Sequence, residues 1–167
     1  MNEGIRRTAL WARDLLGYDE SLMLIGRRNF TREGFETAYI VFDSLGPETL
    51  KGSSLEYDGE NEVQKIALLY SVPITIDFYG EGAHGRAQKL IALRRSQTSR
   101  ELQKQNDISV YAPETVTDAK ALTGQQYGER IEVALNIEWQ YVESVDLLRI
   151  DKANIEKIWT SYFLNEQ

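Results

Sequence analysis

The chain has 167 residues, a formal net charge of −7 and no cysteine, which excludes disulfides, thiolate metal sites and cysteine nucleophiles. Its single histidine, His84, excludes a histidine-based metal cluster, and the excess of acid argues against generic binding to a nucleic-acid backbone, whose phosphates need a basic surface. Nine Tyr, five Phe and three Trp suit one globular domain over residues 1–167, long enough to bury a core.

Ile5, Ala9, Ala12 and Leu16 recur at helical spacing, widened by Trp11 and Leu15, and Gly17 offers a stop, so a helix is expected over Glu3–Leu16. This N-terminus has no long apolar stretch followed by a small-residue cleavage site, and no apolar run in the chain approaches the ~20 residues of a membrane span; a soluble protein made in the cytoplasm is expected. Arg27–Gly34 is polar and reads as a loop. Thr37–Phe42 (TAYIVF) is β-prone and apolar on both faces, which places it inside a sheet. Leu50–Tyr57 is a weaker strand, diluted by Gly52, Ser53 and Ser54, and Asp58–Gly59 then signals a tight hairpin turn.

From Ile66 every second residue is apolar: Ile66, Leu68, Tyr70, Val72, Ile74, Ile76, Phe78. That period of two predicts a long strand with one buried face. Pro73 lies inside it and cannot donate to a ladder, so a bend, bulge or unpaired edge is expected there. A helix follows over about Ala83–Arg95, then a shorter one opened by Ser99 and reaching Gln105. Ile108–Tyr111 reads as a short strand ended by Pro113, and Val116–Leu122 as loop or strand. Arg130–Tyr141 (RIEVALNIEWQY) is the second clear amphipathic strand, and Leu147–Trp159 reads as a last strand or a short closing helix. Two long strands, each with one polar face, predict an α+β fold: a largely antiparallel twisted β-sheet with helices packed on one face.

Gly80, Gly82 and Gly85 have the G-x-G-x-x-G spacing of a dinucleotide-binding turn, between a strand and a helix. That motif seats a pyrophosphate on the helix N-terminus, but it also needs a parallel strand unit and an acid about 20 residues on, at the end of the next strand. Asp107 falls before the next strand and Glu114 after it, and the chain lacks strand–helix alternation. A glycine-rich connection with Gly82 near the N-cap is the simpler account, and a small nucleotide-binding enzyme is the alternative.

Other chemistry is scarce. His84 sits on the glycine-rich turn with no nucleophile beside it and reads as a surface or capping residue. Asp14 with Asp19–Glu20 is a carboxylate grouping that an acidic chain produces by chance, and Asp58–Glu62 lacks the ligand spacing of a calcium loop and reads as a charged turn. No catalytic residue, cofactor or metal is expected. Arg6–Arg7, Arg27–Arg28 and Arg94–Arg95 are scattered pairs on solvated faces. Contact surfaces are better supported: the outer strand faces mix Ala67, Leu69, Ala134 and Asn136 with charges, and Tyr79, Glu81, Arg86, Trp139 and Tyr141 are the candidate subunit or partner contacts. For the aromatics among them a place in the core is the more ordinary alternative.

Taken in order, the TAYIVF strand, the long strand closing in ITIDFYG, the small-residue helix GAHGRAQKLIALRRS, the segment SRELQKQNDISVY and the amphipathic RIEVALNIEW strand resemble the tail terminator (neck terminator) proteins of tailed bacteriophages. The resemblance covers about Thr37–Tyr141. It implies a structural role in the virion neck, at the head–tail junction. A hexameric ring would cap the tail tube, end its polymerisation and offer a docking surface to head-completion (connector) proteins. DNA would pass through the lumen without specific binding, and no membrane would be involved. The acidic charge fits a channel that must not retain DNA. Another tail or baseplate structural protein, or an adaptor, is the remaining alternative.

Overall fold

The computed structural model describes residues 3–26, 38–119, 121–123 and 126–146. Helix α1 (Glu3–Leu16) has the predicted bounds. It ends in a turn where Gly17 takes φ +62° and the Tyr18 N–H donates to Arg13 O at 3.0 Å, the Schellman closure that satisfies a terminal carbonyl. Its buried stripe carries Ile5, Ala9, Trp11, Ala12, Leu15 and Leu16. A short 3-10 turn, capped by the Asp19 carboxylate on Ser21 N, leads to β1 (Met23–Ile25).

The main sheet runs β1, β2 (Tyr39–Ser44), β4 (Val63–Tyr79), β8 (Arg130–Asp146) and β5 (Ile108–Asp118), and β3 (Thr49–Asp58) also pairs with β4. β1 lies parallel to β2, whereas β2 against β4 and β5 against β8 are antiparallel. β6 (Ala121–Thr123) and β7 (Gln126–Gly128) form a separate two-stranded sheet. Helices α2 (Ala83–Leu93) and α3 (Gln97–Gln105) follow β4. The α+β, largely antiparallel fold expected from the two amphipathic strands is the fold observed.

The register explains the core. Ile40 faces Phe78 and Phe42 faces Ile76 across β2 and β4. These side chains cluster with Ile74, Val133, Leu135 and Ile137 from the sheet and with Ala83, Ala87 and Leu90 of α2, under the stripe of α1. Each large aliphatic or aromatic group buried here contributes roughly 1.5–3 kcal/mol. The second face is less open than period-two patterning suggests. Val41, Thr75, Asp77 and Ala134 point away from that cluster along their strands and are also buried.

Pro73 marks where the β2 ladder stops. The Leu45 N–H donates to Pro73 O at 2.9 Å, and proline has no N–H to return the bond, so pairing ends just beyond Ser44 opposite Ile74. β4 itself continues through the proline. Pro113 behaves otherwise than expected: it does not terminate β5 but sits between two register shifts against β8, where a missing donor is tolerated. The short third helix starts earlier than Ser99. Ser96 is its N-cap, its hydroxyl accepting from Ser99 N, and Ser99 is buried with its own hydroxyl accepting from Trp11 Nε1 at 3.1 Å. The Val116–Leu122 segment, expected as loop or strand, is strand to Asp118 in β5 and again from Ala121 in β6, while β1 and β7 have no counterpart in the sequence pattern, since three residues give no readable period.

By compactness the chain divides into two units. Met1–Ser53 with Leu68–Tyr141 holds the apolar core formed by the described residues. Ser54–Ala67 with Val142–Gln167 is the other, in which the described residues are a hairpin tip and residues 142–146. The tip is wider than a two-residue turn: Asp58 Oδ1 accepts from the N–H groups of Glu60 and Asn61, and Glu62 takes φ +54° before β4 begins. The Arg27–Gly34 loop, the first residue of the Thr37–Phe42 strand and the Leu147–Trp159 segment lie outside the described residues.

Candidate functional site

Gly80 and Gly82 take φ +83° and +75°, a left-handed conformation that an L side chain resists, and this turns the chain from β4 into α2. Gly85 has no such need; it lies exposed on α2 with nothing within 4 Å of where a Cβ would stand. The turn is tied to the protein itself. Gly80 N donates to Glu129 O at 3.1 Å, and the Glu129 carboxylate accepts from Ala83 N, the first helical amide, at 3.2 Å. Arg86 reaches back along α2 and donates to the carbonyls of Tyr79 (2.7 Å), Glu81 (2.6 Å) and Gly80 (3.3 Å).

The position a phosphate would take is therefore filled by a protein carboxylate, since helix N-terminal amides favour any anion that reaches them. The β2 neighbour on β4 is antiparallel, not the parallel unit of a dinucleotide fold. Nothing in the turn supports nucleotide binding. The glycine spacing arises from two backbone requirements and one coincidence.

Beside the turn, Arg130 at the start of β8 donates to Asp77 Oδ2 at 3.0 Å and to Glu132 Oε2 at 3.1 Å, with its guanidinium 5.5 Å from the Tyr79 ring centroid. Asp77 is fully buried. Burial works against the charge on Arg130, but Asp77, Tyr79 and Glu132 outweigh it and hold the arginine above its ordinary pKa. The ring of Tyr79 stacks on Tyr39 at 4.7 Å and 7°. This cluster is an ion-pair clamp between β4 and β8. Its signal was present in the sequence as an aspartate in an otherwise apolar strand end.

Trp139 lies at the other end of the paired strands, nine residues and roughly 30 Å from Arg130. It is buried, stacks on Tyr70 at 5.2 Å, sits under the Arg7 guanidinium at 5.3 Å and donates from Nε1 to Glu48. Gly4 of α1 touches it so closely that a Cβ there would stand 2.9 Å from the indole. Of the five candidate contacts, the structure thus gathers Tyr79, Glu81 and Arg86 in one turn and sets Trp139 apart from them. Glu81 and Tyr141 are exposed, while Tyr79, Arg86 and Trp139 are engaged within the chain. A cavity of about 300 Å³ beside Trp139 is lined by Leu69, Gln103, Ile108 and Glu138 among others.

The acidic groupings are engaged locally. Asp14 and Glu20 both accept from Arg13, and Asp58 is held by the hairpin tip. Exposed His84 sits one turn from Gln88 on α2, its Nε2 2.8 Å from the Gln88 amide nitrogen. Among the described residues no group of three or more His, Asp or Glu is placed to hold a metal ion, and no helix is long and apolar enough to cross a membrane.

What remains is a structural framework with open faces and no assembled reaction centre among the described residues. No curated protein matches the chain. The family described as phage neck terminator protein matches it over residues 13–160, nearly the full length and including every strand of the main sheet, and the chain belongs to that family: it is a structural, non-enzymatic tail terminator of the phage neck.

Proposed function

We propose that this neck protein acts as one copy in a closed homo-hexameric ring seated on the end of the tail tube. One side of the ring meets the tail tube protein and stops its polymerisation, and the other receives a head-completion or connector protein. DNA passes through the lumen without specific binding, and the protein is made in the host cytoplasm as a single functional domain. The observation that carries the reading is the family match over 13–160. The net charge of −7 supports a lumen that does not retain DNA. Within the ring Glu81 and Tyr141 present exposed side chains to a neighbour, and Tyr79, Arg86 and Trp139 stiffen the segments that carry them.

The test is electron microscopy of particles assembled without this protein. Over-long tails, or tails without heads, are expected. Normal virions would end the proposal.

A further inference from the structure

A groove of about 470 Å³ runs between the end of α2 and the edge strand β5, floored by Ile91, Ala112, Pro113 and Val116 and flanked by Arg94 and Arg95. Its apolar floor is open: Val116 is 51% exposed. Its cationic wall is poorly matched. Arg94 donates to Val110 O at only 3.4 Å, its Nε is buried without a hydrogen-bond partner, and Arg95 stands beside it with like charge. Among the residues whose side chains are described, no carboxylate is bonded to either arginine. Burial, and secondarily Arg95, depress the pKa of Arg94, as expected for a guanidinium that lacks an acid. The segment Ala83–Gln105 carries six Lys and Arg against one acid, although the whole chain is acidic.

The opposite character is found on the hairpin tip. Ser54–Ala67 carries Glu56, Asp58, Glu60 and Glu62 against one base, Lys65. Nine of the ten residues of β3 are exposed, including Leu55 at 64% and Tyr57 at 53%. A two-stranded hairpin with large apolar groups in water gains by burying them.

We propose that the acidic tip of the β3–β4 hairpin of one copy docks into the arginine-flanked groove between α2 and β5 of the next copy. Tyr57 covers the apolar floor near Val116, and Glu60 supplies the acid that Arg95 lacks. The contact is heterologous, one surface meeting a different one, which is the type that closes into a ring when the rotation permits. It rests on the ring reading and names the surfaces that would build the ring.

The absence of cysteine in the chain makes engineered thiols unambiguous. Tyr57→Cys and Val116→Cys are placed in separate copies, mixed, and oxidised alone and with isolated tail tubes. A disulfide-linked dimer is expected from the mixture, and a ladder of multimers from the chain that carries both. Arg95→Glu should lower the cross-linking yield about ten-fold at low salt, and Glu60→Lys in the same chain should restore it. A monomeric internal disulfide in the double-cysteine chain would show that the tip docks within its own copy and would overturn the proposal. So would no cross-link, alone or on tubes, from variants that still terminate tails. Cross-linked rings from a protein whose loss leaves normal virions would instead refute the terminator reading and leave the contact standing.

Discussion

β2 and β3 both pair with β4, yet one is buried on both faces along its first four residues and the other is exposed along nearly its whole length. The composition accounts for the difference. Tyr39-Ile40-Val41-Phe42 offers apolar surface to either side of a sheet, whereas β3 dilutes Leu50, Leu55 and Tyr57 with Lys51, Gly52, Ser53, Ser54 and Glu56. The same partner strand therefore carries both a load of buried apolar area and a surface available for contact. Stability belongs to the first and recognition to the second, and substitutions should separate them.

The largest effect should come from Phe42→Ala. Phe42 is fully buried against Ile76 and the helical layer, and its loss leaves a cavity costing about 3–5 kcal/mol. Leu55→Ser on β3 should change stability by less than about 0.5 kcal/mol. Urea unfolding of the two variants reads both; equal destabilisation would break the comparison. Next is the clamp at the core end of β4. Arg130→Met removes the cation paired with the fully buried Asp77 and should cost about 3 kcal/mol, whereas adding Asp77→Leu should recover most of that loss, because an apolar pair needs no desolvation of charge. If the double variant is no better than the single, the ion pair contributes more than its desolvation costs.

How much of this was legible in the sequence depends on the length of each pattern. The α1 stripe and the alternation in β4 and β8 span several repeats, and these elements appear close to where they were expected. Family membership was legible for the same reason, since it rests on the order of several long elements. The short β1, β6 and β7 have too few residues to show a period. Pro113 misled because its tolerance depends on a register shift that only the partner strand creates. The Asp77–Arg130 clamp joins residues 53 apart, and nothing local to either names the other. The hairpin tip was legible as a turn, but its four-residue width depends on hydrogen bonds made by Asp58.

A smaller effect sharpens the comparison at the glycines. Gly82→Ala places a Cβ on a residue with φ +75° and should cost about 1–2 kcal/mol. Gly85→Ala, on the open face of α2, should stabilise by up to about 1 kcal/mol, because alanine holds a helix better than glycine. Thermal melts distinguish the two. A dinucleotide site would instead make both substitutions reduce ligand binding, and micromolar retention of a labelled dinucleotide, lost on Gly82→Val, would reopen that reading.

The smallest effect concerns acid. Glu3 accepts from Arg6 at 2.7 and 2.9 Å and from Arg7 at 3.0 Å, and Arg6 is the main reason its pKa falls from 4.5 to about 2, against a partial opposing effect of burial. A carboxyl group whose folded pKa is depressed stabilises the fold above its unfolded pKa and loses that contribution as pH falls through the folded one. The loss should thus lie between about pH 4.5 and pH 2. Because the carboxylate is 35% exposed, solvent screening holds the contribution to about 1 kcal/mol or less. Glu3→Gln should reduce the stability difference between pH 6 and pH 3 by that amount in denaturant titrations at the two pH values. An unchanged difference would place the acid sensitivity of the fold elsewhere, with the buried Asp77 the next carboxylate to replace.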